Sequence, residues 1–190
     1  MTRAIYYTAS TLNGFLADEN DSLSWLLEVP QDDVQGDIDD FLGGMGAIVM
    51  GSSTYDWVLR EEGLLAQPER FQQFYGERPV FVVSSRDLPV PTGADVRIIR
   101  GDIAEHWSEL RAAAGDRDVW VMGGGDLAGQ FDDAGLLDGV IVTVAPATLR
   151  AGKPLLPRDL DWHRLELDGV RRIGRFAELT YRVLPRGAGD

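Results

Sequence analysis

The chain has 190 residues, 44% of them hydrophobic, and no low-complexity tract, which fits one globular domain with a substantial core and leaves little room for two. It contains no Cys and only two His, His106 and His163, so disulfides and thiolate nucleophiles are excluded and a zinc site is not expected. A formal net charge of −13 argues against a nucleic-acid partner, which needs clustered Lys and Arg, and no apolar run approaches membrane-spanning length.

Residues 1–5 lead straight into a strand rather than a signal peptide, and a cytoplasmic protein is expected. That first strand spans Ala4 to Ser10. Asn13-Gly14 then marks a turn, the polar stretch from Glu19 to Ser24 reads as an exposed loop, and Trp25-Leu26-Leu27 is an apolar cluster for the core or a pocket wall. From Gln31 to Leu42, Val34, Ile38, Phe41 and Leu42 share one face of an amphipathic helix. Asp32, Asp33, Asp39 and Asp40 fall mostly on its other faces, where solvated carboxylates are the rule, whereas Asp37 borders the apolar stripe and is the best placed to turn inward.

Ala47 to Met50 is a short, wholly apolar strand that meets Gly51-Ser52-Ser53-Thr54. Ser53 or Thr54 is expected to cap a helix, with Asp56 three residues on as in a capping box. Pro79 to Val83 is a third buried strand. It ends in Ser84-Ser85-Arg86, two hydroxyls and a guanidinium that suit a phosphate monoester as well as an ordinary surface turn. Val96 to Arg100 alternates as a half-buried strand, and Asp102 and Glu105 form a capping box for a helix that stops at Gly115. His106 sits on that helix and reads as a surface residue.

The stretch from Asp118 to Phe131 passes from a strand through Gly123-Gly124-Gly125 into Asp126-Leu127 and a helix. Glycines admit an anion close to the backbone, and a helix N-terminus offers unpaired N–H groups with a positive dipole end. Gly123, Gly125 and Ala128 also match a Rossmann fingerprint. That fold is disfavoured, because no acidic residue follows at the end of the next strand, Val140 to Ala145, and too little chain remains for a second half. Thr143 within that apolar strand needs a partner if buried. Arg164 to Ile173 and Ala177 to Leu184 form a closing hairpin around Gly174, so the expected fold class is α/β with a mixed, mostly parallel sheet.

With these residues in order, the chain resembles the dihydrofolate reductase superfamily, in the branch of the reductase domain of bacterial riboflavin biosynthesis. The resemblance runs from Tyr7-Thr8-Ala9-Ser10-Thr11-Leu12-Asn13-Gly14 to the final hairpin, and is most specific at residues 49–55 and 121–125, with Ala145-Pro146 and residues 152–156 in support. It implies a three-layer αβα domain over residues 1–185 with a flexible 186–190 tail. It also implies NADPH as cofactor, held by Gly51, Ser52, Ser53 and Thr54, by Ser84, Ser85 and Arg86 at the adenosine side, and by Gly123, Gly124, Gly125, Asp126 and Leu127 at the pyrophosphate. Asp37 falls near the family's ring-binding acid and Thr143 at its supporting threonine, with Asp33 one turn earlier as the fallback. Ser52 stands where those enzymes carry Arg, and Asp126 brings a negative charge beside the cradle.

The expected activity is hydride transfer from NADPH to a C=N or C=O bond of a small heterocyclic or sugar-derived substrate, with no metal. A non-catalytic nucleotide-binding or regulatory dimer that keeps the cradle is the alternative, and a fold relic with both sites empty is a third. A homodimer is expected, as in riboflavin-type reductases, with Trp107, Trp120 or Trp162 available for its interface.

Overall fold

The computed structural model describes residues 1–30 and 35–187, with residues 35–37 described by backbone alone. Its strands are β1 (Ala4–Thr11), β2 (Phe15–Ala17), β3 (Met45–Gly51), β4 (Val80–Val83), β5 (Val96–Ile99), β6 (Asp118–Gly123), β7 (Leu137–Ala145), β8 (Lys153–Pro154), β9 (Leu165–Ile173) and β10 (Phe176–Val183). The helices are α1 (Ser24–Leu27), α2 (Gln35–Gly43), α3 (Ser52–Glu61), α4 (Glu69–Tyr75), α5 (Ile103–Ala114) and α6 (Gly125–Asp133).

Eight strands form one sheet in the order β5-β4-β3-β6-β1-β7-β10-β9. Six are parallel, and β10 and then β9 close it antiparallel, as the hairpin around Gly174 predicts. Helices cover both faces, which is why the central parallel strands are continuous apolar runs. Alternation along the strands sorts the core. Ala47, Val49 and Phe81 pack with Ile103 and Leu110 of α5 and Phe131 of α6, while Ile48, Met50 and Val82 pack with Tyr55 and Val58 of α3 and Phe71 of α4. The result is the three-layer, dihydrofolate reductase-like fold class expected from the resemblance.

Two local expectations meet different outcomes. Asp102 does cap α5, its Oδ1 accepting from Ala104 N at 2.9 Å, and the helix ends at Gly115. The cap of α3 is instead Gly51, with no side-chain hydrogen bond, because β3 runs through Gly51 straight into the helix at Ser52. Trp107 packs edge-on against Phe131 and Trp120 against Phe41, so both serve this chain's own packing, whereas Trp162 is 80% exposed. Residues 31–34, including Asp33, and residues 188–190 lie outside the described residues. Arg186, expected to open the flexible tail, is tied to the buried Asp132 at 3.1 Å. Among the described residues, no helix is long and apolar enough to cross a membrane.

Candidate active site

Parallel strands β3 and β6 lie side by side with Met50 opposite Gly123, so the glycine junctions at their carboxyl ends meet. A Cβ built on Gly51 would stand 3.7 Å from Gly124 N and 3.8 Å from Gly123 O. Both junctions turn directly into helices, α3 and α6, and neither N-cap, Gly51 or Gly124, supplies a side-chain acceptor. The first-turn N–H groups of two helices thus face one region without side-chain caps, and their positive dipole ends add there. Such a pair of helix ends at the carboxyl edge of a parallel sheet is suited to an anionic ligand.

These junctions form one wall of a cavity of about 510 Å³. Leu16, Leu26, Ile38, Trp57 and Met122 make much of its lining apolar, while Asp21 and Lys153 line it too and pair at 3.6 Å. Lys153 is held there because β8 pairs with β2, placing Lys153 opposite Ala17.

Tyr7 and Thr143 contribute polar groups from the sheet. Strand register explains their neighbours. Glu178 on β10 is directly opposite Thr143 on β7 and also opposite Arg171 on β9. The buried Glu178 carboxylate accepts from Tyr7 Oη at 3.0 Å and from Thr143 Oγ1 at 3.5 Å on Oε2, and pairs with Arg171 Nε at 2.6 Å on Oε1. Burial first, then the nearby Glu178, pushes the Tyr7 hydroxyl up to about 12 against the lowering influence of Thr143, so it keeps its proton at neutral pH. Phe41 stands edge-on to the Tyr7 ring with centroids 4.6 Å apart, and Trp120 Nε1 donates to the Tyr7 carbonyl at 3.0 Å. The ring is therefore fixed by packing and by its backbone.

Of the residues singled out in the sequence, Ser53, Thr54, Gly123, Gly124, Gly125, Asp126 and Thr143 line the cavity. Gly51 and Ser52 form the strand–helix joint beside them, and the Leu127 side chain is buried in the core, leaving its backbone for a ligand. Ser84, Ser85 and Arg86 are not part of the lining. Ser84 Oγ accepts from Arg86 N at 3.0 Å, shaping the turn, and the Arg86 guanidinium pairs with Asp56 at 2.6 Å. Asp126, the charge that threatens the cradle, does not cap α6. It pairs with Arg158 at 3.3 Å and accepts from Gln130 at 2.9 Å, which offsets part of its charge. Asp37 lies in α2 directly before the cavity-lining Ile38, and its side chain is outside what is described. Among the described residues Thr143 Oγ1 donates to Glu178 at 3.5 Å, and its expected pairing with the acid of the first helix falls on side chains outside those described. Tyr7 and Glu178 went unnoticed in the sequence. The available signal was that Glu178 is two residues from Phe176 and so shares its inward face of β10.

The family model described as the RibD C-terminal domain matches residues 4–177 of the chain. Among solved structures, a candidate riboflavin biosynthesis protein from Shewanella sp. PV-4 is similar over 96% of this chain and 99% of its own, with a TM-score of 0.77 and 24% identity. A Thermotoga maritima diaminohydroxyphosphoribosylaminopyrimidine deaminase/5-amino-6-(5-phosphoribosylamino)uracil reductase aligns over 96% of this chain and 57% of its own, at a TM-score of 0.65 and 16% identity. Dihydrofolate reductase from Enterococcus faecalis, solved with NADP(H), covers 95% of this chain and 96% of its own, at 0.58 and 15%. At these identities the three structures share the fold with this chain.

Proposed function

The chain belongs to the RibD C-terminal domain family, and from that premise we propose that it is an NADPH-dependent reductase transferring hydride to a C=N or C=O bond of a small substrate. A pyrimidine- or pteridine-like heterocycle fits best, and a sugar-derived compound is the other substrate class. The observation that carries this reading is the pair of uncapped helix N-termini on one wall of a largely apolar cavity. That wall suits a pyrophosphate and the rest suits a flat ring.

In this reading the backbone of residues 51–54 and 123–127 holds the pyrophosphate, and Ser84, Ser85 and Arg86 receive the adenosine side with its 2′-phosphate. Bound NADPH supplies the hydride. The apolar lining keeps water from the reacting carbon, and the cavity walls orient the ring. Asp37 holds the proton needed by the substrate heteroatom, with Thr143 as part of its supporting surroundings. The protein acts as a cytoplasmic homodimer.

The test is NADPH oxidation over a panel of pyrimidines, pteridines and sugar lactones. Turnover of at least one class is expected, and Asp37→Asn should lower kcat by about a hundredfold while leaving the NADPH Kd unchanged. An intact kcat in Asp37→Asn removes that residue from the chemistry. Tight NADPH binding without turnover on any class would replace the enzyme with a nucleotide-binding regulatory dimer.

A further inference from the structure

Hydrogen-bond polarity at the sheet side of the cavity is set by a residue behind the lining. Tyr7 and Thr143 line the cavity, and Glu178 is not part of that lining. The Arg171 guanidinium occupies Glu178 Oε1, and Oε2 receives both hydroxyls, from Tyr7 at 3.0 Å and from Thr143 at 3.5 Å. An ionised carboxylate offers only acceptors, and each hydroxyl has one proton to give. The Tyr7 proton, in the shorter of the two contacts, is therefore directed away from the cavity toward Glu178. What remains for a ligand on Tyr7 is the lone-pair side of the phenol oxygen, made more electron-rich by donating to a carboxylate. With its pKa pushed up to about 12 by burial, Tyr7 is a neutral phenol, so this is an acceptor without a full charge.

We propose that the Tyr7–Glu178–Arg171 network makes the cavity selective for ligands that present an N–H, such as the amino group or ring N–H of an aminopyrimidine, to the Tyr7 oxygen. This rests on the reading of the cavity as a site for a flat heterocycle, and it names the face by which the ring is read. The phenol is pre-positioned by Phe41 and by the Trp120 hydrogen bond to its backbone, so a ligand donor meets an oxygen whose place is fixed. A ligand offering only acceptors leaves two lone-pair surfaces facing each other, which is the more strongly rejected mismatch.

The network also dictates how to reverse the selectivity. In Glu178→Gln, Arg171 still requires an acceptor on its side and so holds the amide oxygen, which places the amide NH₂ against Tyr7 and Thr143. Tyr7 Oη then accepts from the amide, and its own proton is released toward the cavity. The probes are 2-aminopyrimidine and 2-methoxypyrimidine, two neutral rings of similar size with and without N–H donors. Their affinities are measured by ligand-observed NMR on the full chain, with the NADPH Kd of every variant measured in parallel. The wild-type chain should prefer the amino ring by about tenfold, Tyr7→Phe should reduce the preference to within about threefold, and Glu178→Gln should invert it. Equal or better binding of the methoxy ring by the wild-type chain overturns the proposal. So does an undiminished amino preference in Tyr7→Phe, or no saturable binding of 2-aminopyrimidine at about 10 mM. Because the NADPH titration reports on the helix ends and the 84–86 turn, and not on the Tyr7 oxygen, failure of the proposed cofactor site is seen separately from failure of the donor preference.

Discussion

Arg86 shows how one side chain can be both legible and conditional. Its place after Ser84-Ser85 at the end of β4 suits the proposed 2′-phosphate as well as a surface turn, and its guanidinium is paired with Asp56 on α3, with side chains 58% and 37% exposed. An exposed pair of this kind contributes about 0–1 kcal/mol, so a 2′-phosphate, with more charge and more acceptor oxygens, displaces the carboxylate readily. Arg86→Ala should therefore erase about tenfold or more of the NADPH/NADH affinity ratio, and Asp56→Asn should strengthen NADPH binding severalfold by removing the competitor. An unchanged ratio in Arg86→Ala moves the assignment to Arg100, whose guanidinium is paired with Asp87. Arg86 is a candidate that sequence alone can raise, because its signal is local. Glu178 is not, since its importance comes from being opposite Thr143 and Arg171 at once, and that register exists only after three strands have paired.

Among the elements, β3 and β4 were readable because strands buried on both faces are continuous apolar runs, β6 because its apolar run meets the glycine turn, and α5 because its cap and its stop lie in the sequence. The two-residue strand β8 had no signal of its own. It is defined by pairing with β2, and that pairing is what brings Lys153 to the cavity. The glycine junctions were recognised as a cradle, but their separate roles emerge only from packing. A Cβ on Gly125 would collide with the carbonyls of Pro154 and Leu155, whereas one on Gly51 meets nothing closer than 3.7 Å. Gly125→Ala should therefore cost about 1–3 kcal/mol and lower the Tm by several degrees in thermal unfolding. Gly51→Ala should unfold like the wild type, yet weaken NADPH about tenfold by placing a methyl between the two helix ends. A Gly51→Ala chain that binds NADPH normally would separate those ends from the cofactor.

For the molecule as a whole, four tyrosines tie the layers together and set its alkaline limit. Burial pushes Tyr7 and Tyr55 up to about 12, and Tyr6 and Tyr75 further in the same direction. Folded values above the unfolded one mean that this stabilisation is complete below about pH 10 and is lost as the pH rises through about 12. Urea unfolding should give the same free energy at about pH 7 and 9 and a clear loss by about pH 11, and a flat profile beyond that would contradict the burial of these phenols. Strand β9 ends the sheet with Leu167 and Val170 at 53% and 64% exposure, consistent with the proposed homodimer. Light scattering should then give twice the 20.9 kDa chain mass, and a monomer at micromolar concentration removes the dimer. The central claim is that the paired helix ends and their cavity bind NADPH. Trp57 and Trp120 line that cavity, so equilibrium titration read by tryptophan quenching and nicotinamide emission addresses it directly. Saturable binding at one site per chain, at least about tenfold tighter for NADPH than for NADH, is the predicted result. A chain that shows no saturable change, or binds both nucleotides equally, would contradict the account.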